Sequence, residues 1–397
     1  MGSGNIFEIF KVFLRLGLTS FGGPIAHLGY FRREFVVRRH WLDEETFADL
    51  VALCQFLPGP ASSQVGFALG LSRGGWFGGL AAWCGFTLPS ALALFVVASL
   101  TTSLNGAAAT AAIHGLKLVA IAVVAQAVWG MIRTLTPDFR RAVIAVMAGL
   151  GVVLVAGALG QIAVIGFGAL AGTALCRDPA IARNGFLKFP LLPQMGAACL
   201  AAFAGLLLAT PLLASALDSH ALAVFGAFYR SGALVFGGGH VVLPLLRDAV
   251  VNPGWISANT FLAGYGAAQA VPGPLFTVAA YLGTALHGPP NGLAGAALAL
   301  AGIFLPGMLI LAGALPFWDG FRTRPDAQAA MRGVNAAMVG ILAMALYDPL
   351  WTSTITSWRD IALAGGGFLL LTMLKVPSVF VVIGITAAAM LLSLAFA

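Results

Sequence analysis

Residues Gln55 to Gln64 read QFLPGPASSQ, and they interrupt an apolar run that would otherwise read as a membrane helix. Each proline removes a backbone donor and clashes with the preceding turn, so Pro58-Gly59-Pro60 breaks any helix that contains it. A second copy, QAVPGPLFTV, begins at Gln269 and holds Pro272-Gly273-Pro274. A chain that breaks the same helix twice, each time just after a glutamine, uses the break for something.

Composition sets the class. The 397 residues are 60% hydrophobic and 9% charged, and the mean hydropathy of +0.95 lies far outside the soluble range. The expected fold is an all-α polytopic membrane protein. Residues 6–20 carry Glu8, Lys11 and Arg15 and lack a charge-free apolar core, so no cleavable signal is expected there. The formal charge of +7 lies in short loops between apolar spans, which points to topology and not to nucleic acid. The four cysteines, Cys54, Cys84, Cys176 and Cys199, form no CxxC and read as small buried apolar residues. The six histidines form no HxxxH or HExxH, and P-loop, GxGxxG and GxSxG are absent. Neither a metal, a cofactor nor an enzymatic centre is expected.

The chain repeats itself. FLRLGLTSFGG at Phe13 overlays FYRSGALVFGG at Phe228 with an offset of 215. At an offset of 214, Arg33-Glu34 meets Arg247-Asp248, Trp41 meets Trp255, Phe47 meets Phe261, Gln55 meets Gln269, and the Pro-Gly-Pro triplets coincide. FTLPS at Phe86 then meets FLPGM at Phe304, and AAIHGLK at Ala111 meets AAMRGVN at Ala329. This order, FGGP then Pro-Gly-Pro followed by FGGGH then Pro-Gly-Pro, resembles the two-domain chromate ion transporters over nearly the whole chain. The resemblance implies an inner-membrane, multi-pass protein that moves chromate, with sulfate as a structural mimic, usually outward to confer resistance.

Hydropathy puts spans at 75–103, 107–134, 142–158, 160–176, 193–217, 291–316, 327–349, 360–374 and 376–397. The regions 6–39, 47–71, 222–250 and 258–286 are interrupted near their middles. If each crosses once, Arg32, Arg33, Arg38 and Arg39 fall opposite Arg73, Arg140, Arg141, Arg177, Arg183 and Lys188, against the bias of cations toward the cytoplasm. If each instead returns as a hairpin of two half-helices, these cations share one face. Five crossings then precede the second copy, so it is inverted, and 249–257 falls outside with no cation. Arg322, Arg324 and Lys375 return to the cytoplasmic face, with Arg359 as the exception. The expected division is a first transporter repeat at 1–176, a basic cytoplasmic linker at 177–192, a topology-inverting helix at 193–217 and a second repeat at 218–397.

Broken helices leave backbone groups that protein or a wet cavity must satisfy. In inverted-repeat transporters, half-helix amino termini near the midplane direct N–H groups at an anion. The candidate seat is therefore Gly22, Gly23, Gly237 and Gly238 with Pro58, Gly59, Pro60, Ser62, Ser63, Pro272, Gly273, Pro274 and Thr277; a packing kink is the plain alternative. Gln55 and Gln269 either donate to the anion or cap freed carbonyls. Arg15 and Arg230, six residues before each FGG, are buried guanidinium candidates whose fork suits an oxyanion, unless Arg15 snorkels from a surface helix. His114 with Lys117, and Arg332 with Asn335, share helix faces and either line the pathway or snorkel. Glu34 and Asp248, adjacent to arginines, are structural partners or proton carriers. His27 and His240 are anion donors, titrating groups or ligands for loop carbonyls.

The leading function is a secondary transporter of a divalent tetrahedral oxyanion, chromate by resemblance, with sulfate as competitor. Another oxyanion transporter or an anion channel is the alternative, and an intramembrane enzyme lacks a nucleophile or metal cluster. The expected partners are the anion and the lipid bilayer, with a homodimer compatible with both.

Overall fold

The computed structural model describes residues 5–103, 107–155, 157–177, 189, 191–321 and 324–395. Arg183, Lys188, Arg322 and most of the linker expected at 177–192 lie outside the described residues. The described chain is helical, with five helical stretches long and apolar enough to cross a membrane, so the protein is a polytopic helical membrane protein. The cysteines are free, and Cys54 and Cys176 are buried.

The first broken region consists of α1 (Ile6–Thr19) and α2 (Gly23–Phe31), which continues as a π-helical segment, Arg32–Arg38. One continuous helix would hold Glu8 and Arg39 about 46 Å apart. Their side chains instead pair at 2.8 Å, and Phe13 stacks on Phe35 with ring centroids 5.0 Å apart. The chain therefore turns back at FGG. The second region, α3 (Glu44–Phe56) and the start of α4 (Ala61–Ser103), also returns, since Arg73 lies over the Trp41 ring at 5.1 Å. α4 is two arms, because Gly74 and Gly75 are non-helical and reverse the chain; Gly75 has φ +59°. Beyond that reversal Gly78 packs on the Gly70 carbonyl, a contact with no room for a Cβ.

The second copy repeats both returns. Its parts are α9 (His220–Ala233), α10 (Val242–Val250), α11 (Ala258–Ala268) and α12 (Val278–Thr284), with short 3-10 turns leading into α10 and α12. His220 meets Trp255 with ring centroids 4.9 Å apart, and the His287 N–H donates to the Trp255 carbonyl at 2.9 Å. Trp41 and Trp255, equivalent in the repeat, thus close equivalent hairpins.

The other helices are α5 (Ala107–Leu135), α6 (Phe139–Leu154), α7 (Ala158–Leu175), α8 (Pro193–Ala216), α13 (Gly292–Ala314), α14 (Pro325–Ala345), α15 (Trp358–Thr372) and α16 (Ser378–Ala395). With the second arm of α4, every uninterrupted span expected from hydropathy coincides with a helix. The copies interlock: α5 packs on α15 and α16, while α14, its counterpart, packs on α6 and α7. Small residues allow the approach. Gly115 lies against the Thr386 backbone, and Gly333 against Gly168 and Gly172. These six helices form a body beside the broken helices.

That body rests on the second copy. α5 lies along α11, where Gly266 packs on the Leu116 carbonyl, and α14 and α7 touch α10. Lys117 donates to Asn259 (3.0 Å), Gln161 to Asp248 (2.7 Å) and Ser378 to the Gln269 carbonyl (2.8 Å). α11 is buried from Phe261 to Ala268, whereas its first-copy counterpart α3 leaves Ala48 and Gln55 exposed.

Candidate functional site

The four breaks meet. Each turns through glycine at positive φ: Gly22 (+100°), Gly23 (+77°), Gly59 (+117°), Gly237 (+77°), Gly238 (+143°) and Gly273 (+95°). L side chains rarely adopt this backbone, which is why FGG and Pro-Gly-Pro recur. The Gly59 N–H donates to the Val235 carbonyl at 2.8 Å, and the Gly273 N–H donates to the Ser20 carbonyl at 2.9 Å. Gly59 and Gly273 are repeat equivalents, as are Ser20 and Val235. Each Pro-Gly-Pro break is thus bonded to the FGG break of the other copy. Each also packs on the other copy's long helix: a Cβ on Gly59 would come 3.0 Å from Gly307 in α13, and one on Gly273 would come 2.8 Å from Ser90 Oγ in α4.

Half-helices start at all four breaks. The turns that begin α2, α10 and α12 have no side-chain cap, and α4 begins directly after Pro60. Uncapped amino termini present free N–H groups and the positive end of the helix dipole. Their convergence makes the centre attractive to an anion without a formal cation in it. Gly22 and Gly238 are exposed there, so the centre is accessible.

Side chains from separate breaks join it. His27, 1% exposed, places Nδ1 3.3 Å from Ser62 Oγ at the start of α4. His240 meets the Tyr265 hydroxyl at 2.8 Å. Asn335 Oδ1 lies 3.4 Å from where a Gly237 Cβ would be. Thr277 turns away, donating to the Pro274 carbonyl at 2.7 Å. Gln64 is the residue missed by the sequence reading: its Nε2 donates to the carbonyls of Pro58 and Gly307, both at 2.9 Å, tying the first break to α13. Ser20, Thr87 and Ser90 were missed as well. The signal available was the spacing of Trp83, Thr87 and Ser90 on one face of an otherwise apolar helix.

Other candidates sit elsewhere. Gln55 is exposed, and Gln269 donates to the Tyr265 carbonyl at 3.2 Å, capping the end of its own helix. Arg15 lines a side cavity of about 160 Å³ with Arg33 and Glu34, and Arg230 lines one of about 570 Å³ with His220 and Asp248. The two cavities share the equivalent positions Val12/Ala227, Arg15/Arg230 and Glu34/Asp248, so arginine and acid are brought together twice, and α8 lines the larger one as well. Glu34 pairs with Arg38 and Arg39 at 3.1 and 2.7 Å, and Asp248 accepts from Gln161 and Asn252. His114 pairs with Asp360 at 2.7 Å, Lys117 is held by Asn259, and Arg332 donates to the Cys176 carbonyl at 2.9 Å. These three engage neighbouring helices within or against the body.

The fold defines a polytopic helical membrane protein built from two similar halves whose broken helices meet. A family model described as chromate transporter matches residues 7–173 and again 222–392, and the chain belongs to that family. It is 29% identical over 353 residues to the chromate transport protein of Pseudomonas aeruginosa, covering 86% of this chain and 80% of that one. It is 27% identical over 347 residues to a probable chromate transport protein of Synechococcus elongatus, covering 85% and 83%. It is 26% identical over 346 residues to the chromate transport protein of Cupriavidus metallidurans, covering 85% and 81%. No solved structure matches it.

Proposed function

We propose that the chain is a secondary active transporter of chromate in the inner membrane, with sulfate as analogue and competitor, working outward to give chromate resistance. The observation that carries this reading is the reciprocal pair of bonds, Gly59 to Val235 and Gly273 to Ser20, which draws half-helix amino termini from both copies to one centre. A dianion placed there meets converging N–H groups and dipole ends in a medium of low dielectric. Arg15 and Arg230, in their flanking cavities, serve approach to this centre, and Glu34 and Asp248 beside them are the candidates for proton coupling.

The two copies are inverted repeats in this reading, 1–176 and 218–397, with α8 as the inverting helix. Hairpins that return to their own side leave the second arm of α4 with α5, α6, α7 and α8 as an odd set of crossings between the copies. The one-sided rest of the body on the second copy supports alternating access. Moving the body onto the first copy would close that side and open the other. A channel would have no use for such an exchange.

Labelled chromate uptake into inside-out vesicles tests the function, with and without a pH gradient and with sulfate on either side. Saturable uptake that responds to the gradient or to sulfate is expected. Uptake no greater than in empty vesicles, from folded protein, would sink the chromate reading; uptake linear in concentration would favour a channel. A cysteine-accessibility map placing 32–39 and 249–257 on the same side would refute inversion.

A further inference from the structure

Around the meeting point of the breaks, the first copy buries polar atoms that have no partner. They are Ser20 Oγ, His27 Nε2, Ser63 Oγ, Gln64 Oε1 and Thr87 Oγ1, on residues exposed by 0%, 1%, 4%, 1% and 2%. Buried polar groups are nearly always hydrogen-bonded, and leaving one unpaired is destabilising. One such atom is an accident of packing. A group of them around a single loop marks a polar site.

The contacts gather these residues. His27 bonds Ser62, the neighbour of Ser63, and its ring lies edge-on to Phe86, the neighbour of Thr87, with centroids 5.3 Å apart. Thr87 shares a helix face with Ser90, on which Gly273 rests. The Ser20 carbonyl accepts from that same Gly273. Three different elements, the FGG loop with α2, the first turn of α4 and the second arm of α4, therefore bring residues with unpaired groups into one neighbourhood.

The second copy differs at these positions, and among the described residues its unpaired atom at the breaks is Asn335 Oδ1, beside Gly237. At the equivalent positions, Ser20 is replaced by Val235, His27 by Val242, Gln64 by Val278 and Thr87 by Phe304. Ser63 becomes Thr277, whose hydroxyl is already spent on Pro274. The backbone of the two copies is matched while the chemistry is not.

Resting on the transporter reading above, we infer that the oxyanion is held by the first copy alone, by the side chains of Ser20, His27, Ser63 and Thr87 together with the amino terminus of α4. When the Ser62 hydroxyl donates to His27 Nδ1, Nε2 carries the proton and is a donor. The three free hydroxyls are donors too. A fully deprotonated tetrahedral dianion accepts from every direction, so it satisfies these four donors without a counter-charge, whereas Gln64 Oε1, an acceptor, is not one of its partners. Gln64 is a positioning residue: its amide clamps the break to α13 and sets where α4 begins. The second copy supplies backbone and shape.

The test is thermal unfolding and equilibrium dialysis of the purified full chain with labelled chromate, and with sulfate as competitor. Thr87→Val and Ser63→Ala remove orphaned hydroxyls, so the ligand-free variants are expected to melt at or above the wild-type temperature. A hydroxyl with a structural role would lower it. Their chromate Kd is expected to rise at least fivefold, with the ligand-induced gain in Tm largely lost. Phe304→Leu, a change at the position equivalent to Thr87 in the second copy, is expected to leave Kd within twofold. Variants that bind chromate as wild type does, from a wild type that binds, overturn this inference alone. Wild-type protein that gains no stability from chromate, sulfate or molybdate overturns the oxyanion reading and this inference together.

Discussion

The pair α1–α2 with α3–α4 and the pair α9–α10 with α11–α12 have the same outline and opposite surroundings. The first pair is polar and unsatisfied within, and its outer face on α3 is open at Ala48 and Gln55. The second pair satisfies its buried polar groups internally, as in the His240–Tyr265 bond, and its face on α11 is sealed against α5. The difference teaches that duplication fixed the frame, namely glycine at each break and reciprocal bonds between breaks. What each copy does within the frame has diverged, one toward holding a ligand and the other, in this conformation, toward holding the body.

The frame should be the most sensitive part. Gly59→Ala and Gly273→Ala each force an L residue into positive φ, at a cost of about 1–3 kcal/mol. Overpacking adds about 1–3 kcal/mol more. The two are comparably damaging, because the added Cβ of Gly59 meets the Gly307 backbone and that of Gly273 meets the buried Ser90 hydroxyl and the Phe86 carbonyl. Loss of more than about tenfold in chromate uptake is expected from either, with a lowered Tm. Full activity in either would break the claim that the two locks are equivalent.

Next in size is the exchange of the body between copies. Lys117–Asn259 latches it now, and the repeat equivalents of those residues are Asn335 and Glu45. In a cysteine-free background, a short bifunctional thiol reagent should link 117 to 259 at rest and 45 to 335 only during turnover. Failure of the second link, with transport intact, would show that the copies do not exchange roles.

Arg230→Gln and Arg15→Gln come after these, with flux falling several-fold in both while insertion stays normal. Arg230 should matter more, since it lines the larger cavity and is less exposed. Wild-type flux in both would remove the flanking cavities from the pathway. The smallest effects should fall on the body. Asp138 caps α6 and Ser357, its equivalent, caps α15, so Asp138→Ala and Ser357→Ala should each lose about 0.5–2 kcal/mol, similarly in the two copies. Calorimetry checks this, and strongly unequal losses would extend the asymmetry to the body.

The residues around the breaks explain how far the sequence could be read. FGG and Pro-Gly-Pro were legible because positive φ and the missing proline donor are local requirements, stated by the residue type itself. His27, Ser62 and Ser63 were legible by adjacency to those breaks. Gln55, equally adjacent, is exposed on α3, while the amide bonded to the break is Gln64, on the far side of the same triplet. Thr87 and Ser20 were invisible because their partners come from other elements. Lys117 looked like pathway lining on helix periodicity alone, and only the packing of α5 on α11 gave it Asn259.

The sequence by itself determined the apolar spans, the duplication, the places where helices must break and the family, because each follows from composition, from local backbone sterics or from motif order. Tertiary structure decided which breaks bond to which, where unpaired polar groups gather and which copy the body rests on. Those depend on contacts between residues separated by up to hundreds of positions, and no local rule of the chain encodes them.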